Sequence, residues 1–86
     1  MQIDVESLTI ANAMDVLRSA GAALQRGDRV IDFSRVSRCD TAAVACVLAW
    51  LRQANARGLQ LELVAVPQGL RSLARLYGVE ALIAGG

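Results

Sequence analysis

The stretch Val30-Ile31-Asp32-Phe33-Ser34-Arg35-Val36-Ser37-Arg38-Cys39-Asp40-Thr41-Ala42-Ala43-Val44 decides the fold. A short apolar strand ends in a polar loop, and the loop delivers Asp40 and Thr41 to the start of a long helix. A hydroxyl then stands at a helix N-terminus, where unpaired backbone N–H groups and the helix dipole favour anions and hydrogen-bond acceptors. Function is expected around Thr41.

Outward from this stretch, strands and helices alternate. Gln2 to Glu6 alternates apolar and polar residues as a half-buried strand does. Ile10, Ala13, Met14, Leu17, Gly21 and Leu24 recur at helical spacing, which predicts a helix over about 10–25 with Gly27 just past its end. Arg29 to Ser34 reads as a strand whose continuous Val-Ile and Phe33 suit an interior place in a sheet. The helix that begins at Thr41 runs to about Ala56, stopped by Gly58, with Val44, Val47, Leu48 and Leu51 as its core stripe. Leu59 to Val66 alternates again as a strand. Pro67 then opens a helix to about Tyr77 with the stripe Leu70, Leu73, Leu76 and Tyr77, closed by Gly78. The tail from Val79 to Ile83 is apolar and should pack down, while Gly85 and Gly86 should fray. Such alternation with short links predicts an α/β class: a small, mostly parallel sheet of three to four strands with helices packed against it, as one domain over 1–86.

Composition narrows the chemistry. The chain has 86 residues, enough to bury roughly 60–65% of the surface its unfolded form exposes. It is 55% hydrophobic but holds one Trp, one Tyr and one Phe, so Leu, Val, Ile and Ala must make the core. Few aromatic platforms remain for stacking bases, and a net charge of +1 gives no dominant basic face, so nucleic acid is excluded as a partner. Arg is the sole cation, and with no His the usual general base and the commonest metal ligand are missing. Cys39 and Cys46 lie seven positions apart with nothing to complete a metal site, so neither metal nor other cofactor is expected. The pair fits a reducing, cytosolic setting. No apolar run reaches the ~20 residues that span a bilayer, and Met1-Gln2-Ile3-Asp4 lacks the pattern of a signal peptide, so direct membrane insertion is not expected.

Two readings of Asp40-Thr41 compete. Asp40 caps the helix through its carboxylate, with Thr41 a tolerated first-turn residue; or Thr41 is an exposed docking or phosphorylation site. Along the same helix, Ala42, Ala45, Ala49 and Ala56 form a weakly polar outer face, with Cys46 and Trp50 on its flank. That pattern reads either as helix propensity with a partly covered Trp, or as a protein-binding surface anchored by Trp50. Arg35, Arg38, Arg52, Arg57, Arg71 and Arg75 are solvated charges singly and together could pair with acidic groups of a partner. Cys39 is a poor nucleophile, with no His to activate it and Asp40 beside it. No constellation for turnover is visible, and the chain reads as a non-enzyme.

The strand Val30-Ile31-Asp32-Phe33, the loop Val36-Ser37-Arg38-Cys39-Asp40-Thr41-Ala42 and the helix-strand-helix that follows resemble a STAS domain, the fold shared by anti-sigma factor antagonists and the cytoplasmic tails of sulfate transporters. In the antagonists the loop reads Asp-Ser-Ser-Gly and the residue after Asp is phosphorylated; Thr41 holds that place here. The Asp-Thr-Ala form and the later Leu70-Arg71-Ser72-Leu73-Ala74-Arg75-Leu76-Tyr77 resemble more closely the MlaB subunits of phospholipid ABC transporters. The likeness covers about residues 2–83. Ala43 stands where family members usually carry Gly, and the short N-terminal segment implies that one strand of the usual opening hairpin is missing or reduced, leaving a sheet edge open. The resemblance implies a non-catalytic cytoplasmic subunit, peripheral to the inner membrane, that binds the transporter's ATPase and through it the permease, in a system maintaining outer-membrane lipid asymmetry. It makes Ser37, Arg38, Asp40, Thr41, Ala42, Ala45 and Trp50 the expected partner-binding residues. The alternative it leaves is an antagonist-like regulator switched by phosphorylation at Thr41.

Overall fold

The computed structural model describes residues 1–83, so the expectation for Gly85 and Gly86 lies outside the described residues. Eight elements follow in chain order: β1 (Ser7–Leu8), α1 (Ala13–Gln25), β2 (Val30–Asp32), β3 (Arg38–Cys39), α2 (Thr41–Ala56), β4 (Glu62–Val64), α3 (Gln68–Leu76) and α4 (Glu80–Ile83). All pairings are parallel. Central β2 aligns Val30, Ile31 and Asp32 with Glu62, Leu63 and Val64 of β4, and its other side takes the N-terminal segment through a Gln2–Asp32 bridge. Farther along, β1 pairs with β3, Ser7 opposite Arg38 and Leu8 opposite Cys39. The class is α/β with short parallel strands, as the alternation of the sequence predicts.

The expected first strand is displaced. Gln2 makes only the bridge, with the Ile3 N–H donating to the Asp32 carbonyl at 2.9 Å, and the ladder resumes at Ser7. The first helix begins at Ala13 instead of Ile10, because Asn12 draws the chain into a turn. Its Oδ1 accepts the Thr9 N–H at 3.1 Å and its Nδ2 donates to the Ser7 carbonyl at 2.7 Å. An asparagine able to satisfy nearby backbone groups outcompetes another helical turn there.

One sheet face is dry. Ile3, Ile31, Phe33 and Leu63 are buried beneath the helices, while the alternate residues Gln2, Asp4, Asp32, Glu62 and Val64 are exposed or half-buried. Period-2 alternation in the strands thus fixes which face carries α1 and α2. Helix α2 buries a wider arc than its expected stripe: Ala43, Val44, Cys46, Val47, Trp50 and Ala54. It packs beside α1 over the same core. The helices run parallel, and three α2 side chains and the Arg57 that caps its end donate to carbonyls one turn apart on α1: Cys46 to Ala13 (3.7 Å), Trp50 to Leu17 (3.2 Å), Gln53 to Gly21 (2.9 Å) and Arg57 to Leu24 (2.7 Å). Arg57 also reaches the Gln25 carbonyl and so serves the orphan C-terminal groups of α1. Gly21 admits Gln53, since a Cβ there would stand 3.3 Å from its Oε1.

Gly58 ends α2 at φ 69°, and the next N–H, from Leu59, closes back on the Ala54 carbonyl at 2.9 Å, a turn that needs the left-handed region. Helix α3 starts after Pro67 and buries Leu70 and Ala74, but Leu76 is 74% and Tyr77 55% exposed, so the stripe expected there turns outward at its end. The tail becomes α4, which packs Ile83 into the core.

Candidate functional site

Asp40 is the hinge of the site. Its N–H donates to the Leu8 carbonyl at 3.3 Å, anchoring the end of β3 beside β1. One carboxylate oxygen, Oδ1, accepts the Ala42 N–H at 2.8 Å and caps α2. The other, Oδ2, accepts the Ile10 N–H at 3.0 Å and ties down the turn that precedes α1. The capping role read from the sequence is therefore present, with a second duty across the seam that the sequence did not disclose. Thr41 is the first residue of α2 and is exposed, and among the described residues its hydroxyl has no partner. Cap and open hydroxyl coexist.

The neighbouring residues divide. Ser37 is exposed and donates to the Glu6 carbonyl from both its N–H (2.8 Å) and its Oγ (3.3 Å). Arg38 is exposed in β3, Ala42 is half-buried, and Ala45 is exposed one turn below Thr41. Trp50 does not belong with them. It is 0% exposed, stacked at a tilt on Phe33 with ring centroids 6.4 Å apart and hydrogen-bonded to Leu17, so it cannot anchor a partner. The expectation failed because the α2 flank that carries Cys46 and Trp50 is covered by α1.

The expected apolar stripe of α1 also needs correcting. Ile10 is 79% and Met14 60% exposed, while Ala13, Val16, Ala20, Ala23 and Leu24 face the core. The carbonyls of Ala13 and Leu17 face α2, while Met14, one position round from Ala13, turns outward. Asn12, a capping residue type placed after Ile10, is the sequence signal that separates Ile10 from the helix proper.

Electrostatics keep the cysteines quiet. Burial, aided by the nearby Asp40 charge, pushes the Cys39 thiol up to about 11, and the same causes raise Cys46. Arg35 pairs with Asp4 and Arg75 with Glu80, both on the surface. Arg57 is committed to the carbonyls of α1 and is not available to a partner. No group of side chains suited to a metal ion occurs among the described residues, and none of their helices is long and apolar enough to cross a membrane.

The arrangement is a presenting surface rather than a pocket: a hydroxyl and small apolar side chains on two parallel helix starts. No curated protein and no solved structure matches the chain. A family model described as Mlab, STAS domain, matches residues 5–84, and STAS domains are generally non-catalytic. With nearly its whole length covered by that match, and with the strand-loop-helix that carries Asp40 and Thr41 inside it, the chain belongs to the STAS-domain family of the MlaB type.

Proposed function

We propose that this chain is a non-catalytic accessory subunit that binds the ATPase of a phospholipid ABC transport system, with the Thr41 end of α2 as its contact. In this reading it works on the cytoplasmic side, held at the inner membrane through the ATPase and its permease, and supports a system that maintains outer-membrane lipid asymmetry. The observation that carries it is Thr41: exposed, at the first position of a capped helix, within a domain of the MlaB type. An uncharged hydroxyl at an interface centre accepts little added charge, because a desolvated carboxylate with no counter-ion is costly.

Co-expression with an ABC ATPase of a phospholipid transport system from the same genome tests the proposal. The two should co-purify, Thr41→Ser should keep the complex, and Thr41→Glu should abolish it and lower ATP turnover. A complex and turnover unaffected by Thr41→Glu sink the docking role.

The exposed hydroxyl also favours a second reading, a regulator switched by phosphorylation at Thr41. Incubation with serine/threonine kinases of the same genome, read by intact mass, separates the two: a phosphate added at Thr41 supports the regulator, and an unmodified chain that binds the ATPase rejects it.

A further inference from the structure

We infer that the docking surface is bipartite: Ile10, in the turn before α1, and Met14, in its first turn, form the apolar half, Thr41 and Ala45 the polar-to-small half, and Asp40 is the positioning residue that fixes one against the other. This rests on the docking reading above and adds to it the chemistry of the partner surface, which is a neutral, apolar patch of protein.

Ile10 stands in the turn before α1 and Met14 in the first turn of that helix, while Thr41 and Ala45 lie one turn apart on α2. The Asp40 carboxylate joins Ile10 to the start of α2 at Thr41, and the carbonyl ladder holds α1 and α2 side by side. Large apolar side chains left 79% and 60% exposed lose water contact only when another surface covers them. Ile10 is not loose. Its own N–H is held by Asp40, and the Thr9–Asn12 turn on either side of it is closed by side-chain and backbone bonds. A rigid apolar anchor gives up little conformational freedom on binding.

Charge decides the occupant. Both Asp40 oxygens are taken by N–H donors, so the centre presents no unsatisfied carboxylate. Exposed charges of both signs border the patch: Asp15 in the first turn of α1, and Arg18 and Arg52 on later turns of the two helices. Apolar anchors bordered by charges of both signs are the anatomy of a protein interface. An anionic membrane surface calls for a basic face, which this patch lacks.

The test uses the intact chain and the same ABC ATPase, with binding measured by titration calorimetry. Ile10→Glu should weaken binding by roughly 30-fold or more and Met14→Glu by about ten-fold, the range of central apolar contacts. Leu82→Glu, an equally exposed apolar position on α4, should bind as the parent does. Asp40→Asn separates positioning from capping, since Asn caps a helix about as well as Asp but turns an N–H2 toward Ile10. That variant should keep the parent's melting behaviour, move the Ile10 amide resonance while leaving Ala42 in place, and bind about ten-fold more weakly.

If the parent binds and the Ile10 and Met14 variants bind equally well, the bipartite surface is wrong and the Thr41 contact survives alone. A parent that fails to bind the ATPase overturns both. An Ile10 amide unmoved in Asp40→Asn removes Asp40 as the positioning residue. A parent that is dimeric by light scattering and becomes monomeric with Ile10→Glu assigns the surface to a second copy and overturns the proposal.

Discussion

The indole N–H of Trp50 donates to the carbonyl of Leu17, 3.2 Å away, so the chain's one tryptophan is spent on joining α2 to α1. Its fluorescence therefore reports on that seam. Emission should be blue-shifted and shielded from acrylamide in the native protein, moving red on unfolding in urea. Trp50→Phe keeps an aromatic ring against Phe33 but loses the bond and volume, which should cost about 1–2 kcal/mol. Trp50→Ala should cost roughly 3–5 kcal/mol, near the whole stability of so small a domain.

Arg57 is exposed by area yet structural in role, because its guanidinium serves the last carbonyls of α1. Arg57→Ala should lower stability by about 1 kcal/mol, with solvent exposure holding it to that size, and should leave partner binding unchanged. Urea melts and the same ATPase titration measure the two effects.

Ala65 sits at φ 56°, in the left-handed region where a Cβ crowds the backbone, just after β4. Ala65→Gly relieves that strain at the cost of a freer unfolded chain. The balance should be a gain of roughly 0.5–1 kcal/mol, read as a rise in melting temperature. Ala65→Val, β-branched at the same φ, should lose stability.

Cys39, raised to about 11 by burial and by Asp40, remains a thiol through neutral pH. Iodoacetamide should label it far more slowly than free cysteine at pH 8, with the rate climbing toward pH 11. Because an unfolded chain ionises this thiol at its ordinary value near 9.0, the folded state is favoured below that pH. Stability should fall as pH rises from about 9 toward 11, since the unfolded state then releases the proton first. Melting of Cys39→Ser across this range should lack that component.

Much of this was legible in the sequence because local signals and tertiary structure agree. Gly27, Gly58 and Gly78 end helices where their placement implies. Val-Ile-Asp-Phe makes the central strand, and Asp40 caps α2. Failures cluster where one helix covers another. Periodicity gives the face of a helix but not how many neighbours share it, so Trp50 read as a surface anchor and is buried beneath α1. Ile10 reads as core from periodicity and is exposed, because the periodic pattern extends back past an asparagine that closes a turn. The two-residue β3 carries too few residues to show any alternation at all.

The ladder of side chains onto the carbonyls of α1 has a further consequence. Four donors set in register from Cys46 to Arg57 make sliding or rotation of one helix past the other a wholesale loss, so the seam is held independently of what the outer faces carry. Substitutions at positions such as Met14, Ala45 or Ala49 are thereby decoupled from folding. The scaffold can be resurfaced for a different associate while its interior architecture stays put.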